Sequence, residues 1–181
     1  MAFFIFGCME DRKFYLRLGE AALDFCKTWI GKEIVSLSTM QLQKDWDSDT
    51  MFVSPELSLL LHTENLAFSI RQEEVQIEGV PVSFALRIEK EISRHRSVVF
   101  QFNKPFKISK IEVWAEKTRD SSGLRDTTQL TENTLVFKAE SGDRWMVLPD
   151  HPGPGFAITR GDKAMNEILH SGWYVLKHVL D

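Results

Sequence analysis

The sequence predicts an α+β fold: a mostly antiparallel, curved sheet of about six to eight strands with an N-terminal helix and a C-terminal helix. The middle of the chain alternates apolar and polar residues with the period of two that a half-buried strand shows, most regularly over residues 80–88. Strand-like segments there follow one another through turn sequences without helices between them, which favours antiparallel pairing. Near both ends of the chain, apolar residues recur at steps of three and four, which predicts the two helices.

The composition is that of one globular domain. Of 181 residues, 43% are hydrophobic and 27% are charged, close to the averages for globular proteins. A chain of this length buries roughly 70% of the surface that its unfolded form exposes, so a core can form without disulfides. No internal repeat is visible, which argues against solenoids and propellers. Residues 1–181 are therefore expected to form a single α+β domain.

The N-terminal helix is predicted between a short strand over residues 3–9 and Gly31. Its apolar positions lie on one helical face: Phe14, Leu18, Ala21, Ala22, Phe25 and Trp29. Gly31 stands where a glycine in the left-handed conformation ends many helices. The aromatic members of this face are expected in the core rather than in a ligand pocket, because they need a surface to cover.

After this helix the pattern is that of strands. Strands are predicted over residues 34–40, 80–88, 97–102 and 106–113, and the alternation typical of strands also appears over 66–70 and 74–78. Residues 103–105 are expected to separate the last two, and the slipped apolar spacing at Ser109 and Lys110 predicts a β-bulge. A brief helix is predicted to start at Ser54, because serine followed by proline is typical of a helix N-terminus. Residues 118–133 are predicted to be a loop.

The last third of the chain predicts a hairpin over residues 135–148, a strand over 156–159 and a helix that begins at Asp162. The helix has apolar residues at steps of three and four: Met165, Leu169, Trp173, Leu176 and Leu180. Gly172 weakens it by about 1 kcal/mol relative to alanine. The alternative is that residues 173–180 form a strand. Core positions are expected for at least three of four tryptophans: Trp29, Trp114, Trp145 and Trp173.

The net charge and the lack of targeting signals limit the classes of partner and the cellular location that we expect. The formal net charge is −4, and a nucleic-acid binder needs a basic face that the sequence does not display. No signal sequence or membrane-spanning run is visible, so we expect a cytoplasmic protein that binds neither nucleic acid nor membranes. Cys8 and Cys26 are expected to be reduced, because two isolated cysteines do not make a disulfide framework.

The acidic segment 45–56 has the spacing of a calcium-binding loop. The ligand positions of an EF-hand fall on Asp45, Asp47, Asp49 and Glu56. Thr50, however, stands where the loop needs glycine, and Pro55 occupies the next-to-last position. We therefore expect no metal there, and no cofactor elsewhere, because zinc and nucleotide motifs are absent.

The same segment is the candidate partner-binding surface. Trp46 lies among the aspartates and is expected to be partly exposed, where an indole can anchor a partner. The surface residues are Asp45, Trp46, Asp47, Asp49 and Glu56. Three carboxylates around an indole would suit a partner rich in lysine and arginine.

Three classes of function remain open. No catalytic motif appears, and the five histidines are scattered along the chain, so a non-enzymatic protein that binds another macromolecule is the favoured class. The alternatives are a small-molecule binder that uses the inside of a curved sheet or barrel, and an enzyme whose site is built from dispersed residues.

The overall profile resembles the bacterial immunity proteins of contact-dependent growth inhibition and related toxin systems. The features that carry the resemblance are the strand-rich middle, the hairpin at 137–148 and the segment 154–162. The family consists of small, acidic, cytoplasmic proteins that bind and block a toxin domain. The resemblance implies an inhibitor without catalysis and, because toxin nucleases are commonly basic, a basic toxin domain as its protein partner.

Overall fold

The computed structural model describes residues 12–39, 43–44, 51–54, 58–75, 83–91, 98–120, 127–150 and 155–181. The strands of the first half are β1 (Arg12–Leu16), β2 (Glu33–Thr39), β3 (Gln43–Lys44), β4 (Met51–Ser54), β5 (Ser58–His62), β6 (Ala67–Val75) and β7 (Ser83–Glu91). Those of the second half are β8 (Val98–Asp120), β9 (Thr127–Ala139), β10 (Arg144–Pro149), β11 (Phe156–Arg160) and β12 (Tyr174–Leu180). The two helices of the described residues are α1 (Glu20–Lys27) and α2 (Asp162–Leu169).

The strands form one mostly antiparallel sheet, as predicted. Their order is β3-β4-β11-β10-β9-β8-β2-β5-β6-β7, while β1 pairs with β9 and β12 pairs with β8. The β1–β9 pairing is parallel. The predicted number of six to eight strands was wrong, because the described residues alone contain twelve. Both helices lie inside the strand order rather than at its ends, since β1 precedes α1 and β12 follows α2.

The N-terminal helix is shorter than predicted. Phe14 lies in β1, where it pairs with Gln129, and the helix begins only at Glu20. Pairing with β9 therefore overrides the helical spacing of the apolar residues at this end of the chain. Gly31 follows the helix with φ of +78°, the left-handed conformation expected at such a stop.

A long hairpin of β8 and β9 is the centre of the sheet. The two strands pair from Ile108 with Ala139 to Asp120 with Thr127, so the loop predicted over 118–133 was wrong for most of its length. Several polar residues of β9 in this range are buried and form hydrogen bonds. Gln129, for example, donates to Ser83 Oγ at 2.5 Å and to Thr131 Oγ1 at 3.2 Å.

The irregular points of β8 lie where the sequence placed them. The register with β9 shifts between Ile108 and Lys110, which confirms the predicted bulge. The break predicted at residues 103–105 is a register shift and not an end of the strand. Ile34 of β2 pairs with Phe106, and two residues later Ser36 pairs with Gln101.

The predicted helix at Ser54 was wrong, because the described residues that follow, Ser58–His62, form β5. Pro55 and Glu56 lie outside the described residues. The closing helix begins at Asp162 as predicted but ends at Leu169. The alternative for residues 173–180 is confirmed, since Tyr174–Leu180 is a strand.

The core is aromatic and lies on one face of the sheet. Trp145, Phe137, Trp29 and Phe68 form a run of near-parallel rings whose successive centroids are 4.3, 6.0 and 4.7 Å apart. A smaller cluster on the opposite face of the β8–β11 region packs under α2: Val136, Met146, Leu148, Ala157, Met165 and Leu169. One face of β8 and β9 therefore packs against the larger aromatic cluster, and the other face packs against the smaller cluster under α2.

The sheet folds back over this core. The side-chain amide of Gln72 in β6 donates to the carbonyl of Gly155 at 2.6 Å and accepts from its N–H at 3.0 Å. Ser83 at the start of β7 contacts Gln129 in β9. Strands at distant positions in the sheet order are thereby joined.

Candidate functional site

The acidic surface predicted from the sequence lies outside the described residues. This holds for all of its members: Asp45, Trp46, Asp47, Asp49 and Glu56. Its role in partner binding and its lack of metal stay predictions.

Exposed apolar side chains occur in and beside β12. Five large hydrophobic residues in this part of the protein are 40–57% exposed: Trp173 (57%), Tyr15 (51%), Val179 (45%), Leu176 (42%) and Val175 (40%). Another exposed residue, Leu66 at 38%, lies apart from them in the turn between β5 and β6. Below, the term "β12 edge" denotes Trp173, Val175, Leu176 and Val179.

These side chains are exposed because β12 lies at a margin of the sheet. One side of β12 pairs with residues 111–116 of β8, and no other described strand pairs with it. Val175 pairs with Ala115, on the face of the larger core, whereas Leu176 pairs with Trp114, on the opposite face. A strand that docked alongside β12 would therefore meet apolar side chains above and below its own plane.

Positive charge surrounds Tyr15, next to the β12 edge. Arg17 Cζ lies 5.8 Å and Lys177 Nζ lies 5.9 Å from the centroid of the Tyr15 ring, within the range of cation–π attraction. Strand alternation and register bring two more lysines to the same face of the sheet. The term "basic rim" denotes Lys13, Arg17, Lys117 and Lys177. In the part of the chain that the structure describes, none of the four forms an ion pair.

A cleft of about 160 Å³ opens beside Tyr15, between β1 and β12. Glu132, only 5% exposed, lines it. Its Oε2 accepts a hydrogen bond from the backbone N–H of Leu18 at 2.8 Å, and its Oε1 lies 3.4 Å from His178 Nε2. Glu132 therefore ties together β9, β12 and the segment between β1 and α1, and it holds the two sides of the cleft in place.

The described residues that line this cleft include no serine, threonine or cysteine. Both oxygens of Glu132 have partners. Cys26 is fully buried in the core, and burial raises the pKa of its thiol to about 12. The reactive thiolate therefore does not form near neutral pH.

One serine–histidine pair appears that the sequence did not predict. Ser38 Oγ lies 2.5 Å from His62 Nε2, between neighbouring strands β2 and β5. Ser38 is only 1% exposed, so a substrate has no route to the hydroxyl. Burial lowers the pKa of His62, which favours the neutral ring that can accept this hydrogen bond. The pair serves to join the two strands.

A second cleft, of about 230 Å³, lies at the bend of β8. The guanidinium carbon of Arg160 is 5.7 Å from the centroid of the Phe102 ring, and Lys104 and Asp143 also line the cleft. Charges of both signs line this cleft, so it favours no single ligand chemistry.

No family model, curated protein or solved structure matches this chain. Within the described residues, no group of three or more histidine, cysteine, aspartate or glutamate side chains is placed to hold a metal ion. Neither of the two described helices is long and apolar enough to cross a membrane.

The sequence did not single out Trp173 as exposed. Core positions were expected for at least three of four tryptophans: Trp29, Trp114, Trp145 and Trp173. Trp29 and Trp145 are fully buried and Trp114 is partly buried, whereas Trp173 is largely exposed. The spacing of Leu176 and Leu180 suits either a helix or an edge strand. Tyr15 gave no signal at all, because only the pairing of β1 with β9 brings it beside Lys177.

Proposed function

We propose that this chain is a non-enzymatic protein-binding protein, and that it binds an extended segment of a partner along β12. The observation that carries the proposal is the β12 edge, an apolar group of side chains on a strand whose second side pairs with no other described strand. Exposed edge strands are sites where a partner chain can add a strand through backbone hydrogen bonds. Soluble proteins rarely expose such apolar groups without an interaction to serve.

The residue types of the β12 edge support a role in binding a partner. Trp173 is the most exposed of these residues, and tryptophan is the residue type most enriched among binding hot spots. Proteins commonly protect their edge strands with several charges or prolines. Of the seven residues of β12, only Lys177 and His178 are basic, and both line the cleft beside Tyr15.

The packing of the core argues for a surface site over a small-molecule site inside the sheet. The rings of Trp29 and Trp145 each stack on the ring of Phe137 in the larger core cluster. A ligand there would have to displace aromatic side chains that are fully buried. Such a displacement costs several kcal/mol by the measure of large-to-small core substitutions.

In its more specific form, the proposal is that the chain is an inhibitor, the role implied by the resemblance to immunity proteins. An inhibitor that acts by binding needs a rigid surface and no catalytic group. The β12 edge is held on one side by β8 and fits that requirement. In this form, the extended segment belongs to a toxin domain, whose activity is blocked when the complex forms.

Site-specific photo-crosslinking tests the proposal. A photoreactive amino acid is introduced at Leu176 and, as a matched control, at Leu66, which is almost equally exposed but lies in a distant turn. We expect one protein to crosslink from position 176 in cells of the source organism, with the link mapped to an extended segment, and no such product from position 66. Equal crosslinking from both positions would contradict the proposal.

A substitution at Leu176 tests whether binding of the crosslinked protein depends on the β12 edge. Leu176→Lys puts a charge on the edge while leaving the pairing with β8 intact, so thermal stability should stay close to that of the wild type. Complex formation with the crosslinked protein should be lost. Unchanged binding by a folded Leu176→Lys protein would place the interface elsewhere.

A further inference from the structure

We propose that the extended segment bound at the β12 edge is acidic, and that the basic rim receives its carboxylates. This inference rests on the proposed function and names the chemistry of the partner. It reverses the sign expected from the sequence, since the acidic loop suggested a basic partner. The protein as a whole has a net charge of −4, yet the face beside β12 presents four cations without acidic partners in the described chain.

The rim is organised in advance. Arg17, directly after β1, and Lys177, in β12, approach the same Tyr15 ring, so the ring holds two flexible cations near each other. This stacking lowers the conformational entropy that each cation would lose on binding an anion. Paired cations on an aromatic surface, beside an apolar strand edge, suit a segment that alternates apolar and carboxylate side chains.

Among the described residues that line the cleft, the one acidic side chain is bound to other partners. Glu132 is nearly buried, and its two oxygens are engaged by the Leu18 N–H and by His178. It therefore does not compensate the outer charges of Arg17 and Lys177, which form no ion pair with it. A carboxylate from outside would find both cations available.

The charge also argues against two other occupants. Pairing of β12 with β12 of a second copy would bring the basic rims together, and like charges across paired strands are destabilising. A nucleic acid would suit the rim but would gain little from the apolar side chains of Val175, Leu176 and Val179. It would also meet the overall negative charge of the protein.

Synthetic peptides provide the probe. Three fluorescent peptides of about six residues, a typical strand length, alternate valine with glutamate, glutamine or lysine. Binding to the full chain is measured by fluorescence anisotropy, with the total tryptophan emission as a second readout. We expect the valine–glutamate peptide to bind several-fold more tightly than the valine–glutamine peptide at low salt. The difference should shrink at about 0.5 M salt, where exposed charges are screened.

Charge reversal locates the effect. Lys177→Glu and Arg17→Glu should each weaken the valine–glutamate peptide about threefold to tenfold, as expected when an exposed attraction becomes a repulsion, and should leave the valine–glutamine peptide almost unaffected. Lys90→Glu, an exposed lysine of β7, is the matched control and should change neither. If Lys177→Glu fails to fold, Lys177→Gln should show the smaller loss of the same sign.

The outcomes separate this inference from the proposed function. Equal binding of the glutamate and glutamine peptides, with crosslinking at Leu176 retained, would overturn the acidic-partner inference alone. Loss of crosslinking at Leu176 would overturn the proposed function. Tighter binding of a deoxythymidine oligonucleotide than of the acidic peptide, or dimerisation that Lys177→Glu strengthens, would also overturn the inference.

Discussion

Replacing Glu132 with leucine should loosen the candidate site and lower the stability of the whole chain. Leucine is close to glutamate in size, so packing is largely kept, but it cannot accept the hydrogen bond from the Leu18 N–H. A buried donor left without an acceptor costs about 1–3 kcal/mol. The contact with His178 is lost as well. We therefore expect the free energy of unfolding to fall by about 2 kcal/mol.

Glu132→Gln is the matched control, because the amide oxygen can still accept the hydrogen bond from Leu18. It should cost well under half as much as Glu132→Leu. A domain of this size changes its Tm by about 2–4 °C per kcal/mol, so the leucine variant should melt about 4–8 °C lower. Urea unfolding gives the free energies, and amide exchange at Leu18 reports the local effect.

The reasoning would be refuted by Leu18 exchange that stays as slow in the leucine variant as in the wild type. That result would mean that the carboxylate of Glu132 does not hold the segment between β1 and α1. A loss of equal size in both variants would instead mean that the charge, and not the hydrogen bond, stabilises the cleft.

Three further predictions concern other parts of the chain. Gln72→Ala should cost about 2 kcal/mol in urea unfolding, because it removes both hydrogen bonds to Gly155 and leaves the buried Gly155 N–H unpaired, while the Gly155 carbonyl keeps the hydrogen bond from the Asp150 N–H. Because the pKa of His62 is lowered in the folded protein, the unfolded chain binds more protons below about pH 6.5, and the contribution of neutral His62 to stability is present above that pH and lost on acidification. His62→Gln should reduce this acid sensitivity in pH-dependent melting, whereas His170→Gln, on an exposed helix end, should not. Changing the three aspartates of residues 45–49 to asparagine should slow association with a basic partner at low salt in stopped-flow measurements if the acidic loop is an interface, and equal rates would remove it from consideration.

The antiparallel sheet could be predicted because its signals are local. Alternation over residues 80–88 and the hairpin at 135–148 specify strands without knowledge of their partners, and the bulge near Ser109 follows from a slip in the same alternation. The left-handed conformation of Gly31 was equally predictable. Period and turn chemistry act over a few residues, so one sequence is enough to detect them.

The predictions of the fold that were wrong concern elements that depend on contacts between residues distant in the sequence. Thr127–Asn133 is polar enough to suggest a loop, yet it is a mostly buried stretch of β9 in which Gln129 and Asn133 donate hydrogen bonds to other side chains. Phe14 fits a helical face, but pairing with Gln129, more than a hundred residues away, makes it part of β1.

The candidate site could not be predicted from the sequence for the same reason. The basic rim is assembled from β1, the residue that follows it, β8 and β12. No single stretch of the sequence contains enough basic residues to predict it. The exposure of Trp173 follows from the margin position of β12 in the sheet, which local periodicity does not encode.

Amide hydrogen exchange of β12 tests the central claim most directly. The exchange of Tyr174–Leu180 is compared with and without the valine–glutamate peptide, and with the partner once crosslinking has identified it. If a partner strand adds to this edge, the amides of β12 that are not bonded to β8 should exchange markedly more slowly in the complex, while those of β7 should be unchanged. Tight binding without any slowing in β12 would contradict the account.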